Sequence, residues 1–225
     1  MMNPPLLDAV KIDTAPNPVA AVIWLHGLGA DGHDFVPIVR ELDLIGCPPI
    51  RFIFPHAPTK PITINNGMVM PAWYDIVSTD LVRREDEPGL RESEAAIARL
   101  ITEQEAHGIP AERIVLAGFS QGCAMTLLTG LRYPKKLAGL MCLSGYLPLA
   151  AMLEKERHSA NHQTPIFMAH GEADPVVPFH RAEQSRDLLL ALNYRLEWHA
   201  YPMQHSVCPE EIDDIGKWFR HLLTH

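Results

Sequence analysis

Apolar runs of strand length alternate with longer segments of helical periodicity along most of the chain. Six apolar runs predict β-strands, and several are apolar at almost every position, as expected of parallel strands covered on both faces. The predicted strands span residues 18–26, 49–55, 113–119, 137–144, 164–170 and 195–202. Helical periodicity predicts helices over residues 33–44, 91–107, 121–133, 179–193 and 209–223.

The last predicted helix has one apolar face. Its apolar residues recur at steps of three and four: Ile212, Ile215, Trp218, Phe219, Leu222 and Leu223. Pro209 suits the first helical position, and Glu210 and Glu211 suit the positive end of the helix dipole. Strands and helices that alternate in this way predict an α/β fold with a mostly parallel central sheet, helices on both faces and right-handed crossovers.

Two segments interrupt the alternation. Residues 57–75 form a long predicted loop. It contains apolar side chains, Met70 and Trp73 among them, which argue against a surface loop without a function. Residues 80–89 are charged and predict a solvated loop. Neither segment is large enough to be a lipase-type lid, and no break in composition marks a linker. We therefore predict a single domain over residues 1–225.

Composition and charge narrow the classes of partner. The 225 residues are 47% hydrophobic and carry a formal net charge of −8, which disfavours nucleic acid and anionic membrane surfaces as partners. No apolar run approaches the roughly 18 residues of a membrane span, and residues 1–18 lack the pattern of a signal peptide. The four cysteines form no CxxC pair, which indicates a reduced, cytoplasmic protein. The sequence is compatible with a homodimer.

The motif GFSQG places Ser120 between a predicted strand and a predicted helix. This context is typical of the GxSxG nucleophile elbow, in which a serine hydroxyl points outward from a tight corner. Gly118 and Gly122 provide the small residues that such a corner needs. The amide of Gln121 is expected at the helix N-terminus, where it faces an anion that forms beside Ser120.

An activated serine needs a base, and the chain has 12 histidines. His205 lies in the loop MQHSV, after the final predicted strand and before the final predicted helix. This is a loop at the carboxyl end of the sheet, where open α/β sheets bind ligands. His26 and His170 end strands and precede glycines, and His199 lies within an alternating strand. We therefore predict His205 as the base.

The acid that orients the base is expected in another carboxyl-end loop. The segment HGEADPVVP supplies Asp174, which precedes Pro175 and is thereby biased to an extended backbone. Glu172 is the alternative acid, two residues earlier. The order Ser120, Asp174, His205 is the chain order of the α/β-hydrolase triad.

The segment LHGLGADGHDF follows the first predicted strand and is a candidate loop for binding an oxyanion. Gly27 and Gly29 allow the backbone to turn so that amides face inward. The segment lacks the lysine and serine of a P-loop and the spacing of GxGxxG, which argues against a phosphate loop. A metal site is a weaker alternative, because no helical i, i+4 pair organises its candidate ligands. These are His26, Asp31, His33 and Asp34. We predict no metal and no cofactor.

With these motifs the chain resembles the carboxylesterase, lysophospholipase and acyl-protein thioesterase family of small α/β hydrolases. The resemblance covers nearly the whole chain and rests on LHGLG, PAWYD, GFSQG, HGEADPVVP and QHSV. It implies the α/β-hydrolase fold, with Ser120 as nucleophile, His205 as base and Asp174 as the orienting acid.

The resemblance also implies roles outside the triad. The amides of Leu28 and Gln121 are expected to form the oxyanion hole, and the segment around Met70 and Trp73 to form part of the acyl site. Cys123 stands where a third small residue often follows GFSQG in the family, and we expect it to face the core.

We predict a serine hydrolase that cleaves carboxylic esters with apolar acyl chains through an acyl-enzyme intermediate. Its partner is a small-molecule ester or an acylated substrate, and acyl-protein thioesterase or lysophospholipase as the main activity is the alternative. A serine peptidase is less favoured, because the chain has no room for an extra gating domain. A catalytically silent binding module is also less favoured, because all three predicted triad residues are present.

Overall fold

The structure is a computed structural model that describes residues 6–78 and 85–224. Its strands are β1 (Ala9–Asp13), β2 (Ala20–Leu25), β3 (Ile50–Pro55), β4 (Thr59–Ile62), β5 (Met68–Pro71), β6 (Ile114–Phe119), β7 (Gly139–Leu143), β8 (Ile166–Gly171) and β9 (Leu196–Tyr201). Its α-helices are α1 (Glu87–Ala106), α2 (Gln121–Arg132), α3 (Ala150–Glu156), α4 (Phe179–Ala191) and α5 (Pro209–Leu223). Residues 80–84 of the predicted charged loop lie outside the described residues, and α1 begins within the rest of that segment.

Seven of these strands form one sheet in the order β1-β3-β2-β6-β7-β8-β9. Neighbouring strands are parallel except for β1, which pairs antiparallel with β3 at one edge. The predicted α/β class with a mostly parallel sheet is therefore confirmed, and all six predicted strands lie in this sheet. The edge strand β1 was not predicted, because its residues are half-buried or exposed and mix polar with apolar side chains.

A hydrophobic layer covers each face of the sheet. Strand β2 is buried at every position, and its side chains alternate between the two layers. Trp24 belongs to the layer that contains Phe219 of α5. Ile23 belongs to the opposite layer, which contains Leu128 of α2 and Leu100 of α1. With both faces covered, the loops at the carboxyl ends of the parallel strands are the place for a ligand site.

Three segments differ from the prediction. Residues 33–44 form only a short 3-10 helix at Val36–Arg40. Pro37 lies in its first turn, where a missing amide is tolerated, whereas an α-helix that began at His33 would need that amide. The predicted loop over residues 57–75 contains an antiparallel hairpin, β4 with β5. Helix α3 was not predicted; it has only seven residues and follows Leu149, whose backbone is left-handed.

Glu211, in the first turn of α5, is fully buried. Neither oxygen of its carboxyl group is in a hydrogen bond with a described residue. Burial raises the pKa of Glu211 to about 8. The folded chain thus keeps a proton that the unfolded chain releases above about pH 4.5. Stability should therefore fall as the pH rises from about 4.5 to about 8.

Glu211→Gln removes this titration, so the variant should gain stability over the natural chain as the pH rises, with little difference at pH 5. The gain above pH 8 should reach a few kcal/mol, at about 1.4 kcal/mol per unit of pKa difference. Urea unfolding at pH 5 and pH 9 measures it. Glu210→Gln, a change at the exposed neighbouring carboxylate, is the matched control. A difference between Glu211→Gln and the natural chain that does not change with pH would contradict this account.

Candidate active site

Ser120 lies at a sharp corner between β6 and α2, with backbone angles φ 56° and ψ −116°. Positive φ is unfavourable for a residue with a side chain, and the packing of the two flanking glycines maintains it. A Cβ atom on Gly118 would lie 2.1 Å from the carbonyl oxygen of Gly122, and one on Gly122 would lie 2.1 Å from the carbonyl oxygen of Leu25. The elbow therefore requires glycine at both positions, as GFSQG predicts.

His205 lies between Ser120 and Asp174. Its Nε2 atom is 2.9 Å from the hydroxyl oxygen of Ser120, and its Nδ1 atom is 2.6 Å from Oδ2 of Asp174. A carboxylate only accepts hydrogen bonds, so the proton lies on Nδ1 and the lone pair of Nε2 faces the serine hydroxyl. This arrangement lets His205 accept the proton of Ser120 when the serine attacks a carbonyl carbon.

The side chain of Asp174 is held inside its own loop. Its Oδ1 atom accepts hydrogen bonds from the amides of Val176 and Val177, at 2.8 and 2.9 Å. The side chain has no exposed surface, whereas that of His205 is 16% exposed. Glu172, the alternative acid, is exposed and lies outside these contacts. The three residues predicted to form a triad are thus brought together.

A second histidine borders the same carboxylate. His170 is fully buried, and its Nε2 atom donates a hydrogen bond to the carbonyl oxygen of Val177 at 2.8 Å. The same nitrogen lies 3.4 Å from Oδ2 of Asp174. Burial lowers the pKa of His170, which keeps this ring neutral. His170 therefore packs against the Asp174 loop without bringing a positive charge next to the carboxylate.

The two predicted oxyanion donors lie on either side of Ser120. Gln121 is the first residue of α2, so its amide precedes the first hydrogen bond of the helix, from the amide of Ala124 to the carbonyl oxygen of Ser120. On the other side, a Cβ atom on Gly27 would contact Cβ of Ser120 at 3.3 Å. The amide of Leu28 forms no hydrogen bond with another described residue. Both amides are therefore available to an anion.

A cavity of about 500 Å³ opens beside Ser120. This volume is typical of small-molecule sites. Its walls are largely apolar and are formed by Leu28, Ile64, Asn65, Tyr74, Ile76, Ser120, Gln121, Tyr146, Pro175, Val176, Val177, Pro178, His180 and Arg181. The hydroxyl groups of Tyr74 and Tyr146 lie 3.1 Å apart, and burial raises the pKa of Tyr146 to about 12. The cavity wall formed by these two tyrosines is therefore uncharged at neutral pH.

Met70 and Trp73 were expected to contact the acyl chain, and neither belongs to the cavity wall. Met70 is half-buried on β5, and Trp73 has no exposed surface. Trp73 packs into the core, and contact of the acyl chain with Met70 or Trp73 stays a prediction. Side chains that flank the same segment, Ile64 and Tyr74, form the wall instead.

A possible metal site differs from the one considered on the sequence. Among the described residues, Asp31, His33 and His56 offer ligand atoms within 4.8 Å of one another. The Nδ1 atom of His56 accepts a hydrogen bond from the amide of Gly32 at 3.1 Å, so Nε2 of the neutral ring carries the proton. Neither nitrogen is then free to bind a metal, and this cluster does not fit a metal site as it stands.

Comparison with known proteins gives consistent results. The sequence profile described as Phospholipase/Carboxylesterase matches residues 9–223. Acyl-protein thioesterase 1 of Neurospora crassa is 44% identical over 227 residues, which cover 95% of this chain and 89% of the relative. The crystal structure of SOBER1 of Arabidopsis thaliana superposes with a TM-score of 0.83 at 30% identity, over 91% of this chain and 99% of that one. For acyl-protein thioesterase 2 of Zea mays the TM-score is 0.81 at 28% identity, over 96% and 100% of the chains.

In the described part of the chain, no helix is both long enough and apolar enough to cross a membrane.

Proposed function

Because the chain belongs to the phospholipase/carboxylesterase family of α/β hydrolases, we propose that it is an acyl-protein thioesterase that removes apolar acyl groups from cysteine side chains. The observation that carries the proposal is the placement of His205 within hydrogen-bond distance of both Ser120 and Asp174, with Ser120 in the wall of an apolar cavity. The names of the similar fungal and plant proteins favour a thioester as the main substrate. The chain acts as one domain, which agrees with its single seven-stranded sheet.

Catalysis proceeds by two acyl transfers. His205 takes the proton of Ser120 while the serine oxygen attacks the thioester carbonyl, and the tetrahedral oxyanion is stabilised by the amides of Leu28 and Gln121. The sulfur of the leaving group takes the proton from His205 and departs as a thiol. Water, deprotonated by the same histidine, then hydrolyses the acyl-serine. Asp174 keeps the proton of the neutral ring on Nδ1 and stabilises the imidazolium that forms at each step.

The acyl chain occupies the cavity beside Ser120. Its apolar walls remove the chain from water, which contributes about 0.8 kcal/mol for each methylene buried. The uncharged hydroxyl pair of Tyr74 and Tyr146 forms one part of the wall, and Ile64 and Ile76 form another.

A matched pair of substrates tests the choice of leaving group. One peptide carries an octanoyl group on cysteine, and the other carries the same group on serine at the same position. We expect hydrolysis of the cysteine peptide with a higher kcat/KM than that of the serine peptide, because thiolate is the better leaving group. If neither peptide is hydrolysed while small aryl esters are, the protein is a carboxylesterase of small molecules and the thioesterase proposal is wrong.

Fluorophosphonate labelling separates hydrolases from silent binding modules. An activated Ser120 should form a covalent adduct that mass spectrometry locates on that residue. The serine oxygen attacks the phosphorus of the probe, and displaces fluoride, as it would attack a carbonyl carbon. An unlabelled protein would indicate that the fold is used for binding only.

The length of the acyl chain should determine kcat/KM. With one leaving group, each two added carbons should raise kcat/KM by about tenfold while the chain remains inside the cavity. Ile76→Ala removes part of the wall and should flatten this rise, with the acetyl substrate almost unchanged. Met70→Ala is the comparison, since Met70 lies outside the wall. If Met70→Ala flattens the rise and Ile76→Ala does not, the acyl chain follows the path implied by the sequence.

A further inference from the structure

The loop that follows β2 contains a histidine to which the proposed reaction gives no role. His26 is only 2% exposed, and it directly precedes Gly27 and Leu28. Its ring lies against the ring of Trp73, with centroids 5.3 Å apart. Burial lowers the pKa of His26, so the ring is neutral. A neutral imidazole at this depth has one donor and one acceptor, and both need a partner.

Both partners of the His26 ring are backbone groups. The amide of Ala57 donates to Nε2 at 3.1 Å, and an amide can only donate. The proton of the neutral ring must therefore lie on Nδ1. This nitrogen is 2.7 Å from the carbonyl oxygen of Gly27 and donates to it. The amide of Ala57 thus selects the tautomer of His26 that can hold the Gly27 carbonyl.

The Gly27 carbonyl shares a peptide group with the Leu28 amide. A trans peptide is planar, so its C=O and N–H bonds point in opposite directions. A hydrogen bond that fixes the carbonyl oxygen of Gly27 consequently fixes the direction of the Leu28 N–H. The Leu28 amide has no partner among the described residues, and Leu28 lines the cavity with Ser120.

We propose that His26 is a positioning residue that orients the Leu28 amide toward the oxyanion of the transition state. The inference rests on the proposed function, since it assigns a donor of the same reaction. His26 acts through the Gly27–Leu28 peptide and touches no reacting atom. Trp73 supports this arrangement, because its indole N–H donates to the carbonyl oxygen of His26 at 2.9 Å. The first two carbonyl groups of the loop are thus each held by a ring N–H, and the Gly27 carbonyl also accepts a longer hydrogen bond from the amide of Ala30, at 3.3 Å.

Trp73 is itself fixed from several sides. Its backbone amide donates to the side-chain oxygen of Gln121 at 3.0 Å, and the side-chain amide of Gln121 donates to the carbonyl oxygen of Tyr74 at 2.8 Å. The hydroxyl of Ser93 donates to the carbonyl oxygen of Trp73. The residue after the nucleophile therefore positions the tryptophan that holds the oxyanion loop.

Two substitutions of His26 separate its two hydrogen bonds. An asparagine places an N–H near the position of Nδ1, so His26→Asn can still donate to the Gly27 carbonyl. A glutamine places a carbonyl oxygen near the position of Nε2, so His26→Gln keeps an acceptor for the Ala57 amide and loses the donor. His107→Gln, an exposed change at the end of α1, is the control for the loss of a histidine.

We expect His26→Gln to lower kcat by about ten- to a hundredfold with KM little changed, because loss of one oxyanion donor costs at most about 10²- to 10³-fold. His26→Asn should lose less, and the affinity of both variants for the free fatty acid should match that of the natural chain. A trifluoromethyl ketone, which forms a tetrahedral oxyanion adduct with an active serine, should bind His26→Gln more weakly by about the same factor as kcat/KM falls.

A purely structural role predicts another result. His26→Asn and His26→Gln would then lose kcat equally, in proportion to a lower Tm, and the proposal would be wrong. An unchanged kcat in His26→Gln, with an active natural chain, would overturn this inference and leave the proposed function intact. An inactive natural chain, with no hydrolysis of either acyl peptide or of aryl esters, would overturn both.

Discussion

Ser120→Ala should abolish nearly all hydrolysis and leave the fold unchanged. Removal of a triad serine in subtilisin lowers kcat by about 10⁶-fold, and we expect a loss of that order here. The residual rate would come from binding and from the oxyanion donors. Alanine has a Cβ atom, as serine does, so the strain of the positive φ at this corner is the same in both chains. Steady-state kinetics on the octanoyl thioester peptide measures the loss of turnover, and a Tm measurement shows whether the fold is unchanged.

Ser144 offers a matched control for this change. It follows β7, the strand next to β6, also has a positive φ of 49°, and its hydroxyl forms no hydrogen bond with a described residue. Ser144→Ala removes the same atom from the same kind of backbone, outside the cavity wall. We expect it to hydrolyse the peptide at the rate of the natural chain. Near-normal turnover by Ser120→Ala would move the nucleophile to another residue.

Asp174→Asn should cost about 10⁴-fold in kcat, the scale of a tautomer error in a triad. The oxygen of the asparagine would accept the two loop amides, which leaves its NH₂ group facing Nδ1 of His205. His205 would then carry its proton on Nε2 and have no lone pair for the hydroxyl of Ser120. The stability of the loop should change little.

Glu172→Gln is the control for Asp174→Asn, because it neutralises an exposed carboxylate two residues away. We expect its kcat within about twofold of the natural chain, since surface substitutions of this kind have small effects. If Glu172→Gln were the more damaged variant, the two acids would exchange roles.

The sequence predicts the central sheet and the serine corner well because both depend on local patterns. Strands buried on both faces appear as continuous apolar runs, and the glycines on either side of Ser120 mark a corner that only small residues fit. The prediction that Ser120, Asp174 and His205 lie close together relies on one further rule, that parallel strands place their following loops at one edge of the sheet. Their roles as a triad stay predictions until the variants are measured.

The structural features that the sequence does not predict depend on contacts between distant segments. The burial of Trp73 follows from the partners that it finds in Gln121, Ser93 and His26, and no pattern within residues 57–75 indicates it. The neutral tautomer of His26 is set by Ala57, which is 31 residues away. The edge strand β1 pairs with β3 through backbone groups, for which half-buried side chains leave little signal. Such features become visible only when the tertiary structure is known.

The parallel sheet has a consequence for how activity returns when the unfolded chain refolds. The hydrogen bond between Ser120 and His205 joins residues 85 positions apart, and β7, β8, β9 and their crossovers lie between them. Parallel strands can pair only after such long crossovers have closed, which makes these contacts slow to form. The circular dichroism of the helices can therefore recover early, while turnover must wait until β7, β8 and β9 have docked. Recovery of turnover thus reports the docking of β7, β8 and β9, which the circular dichroism of the helices does not report.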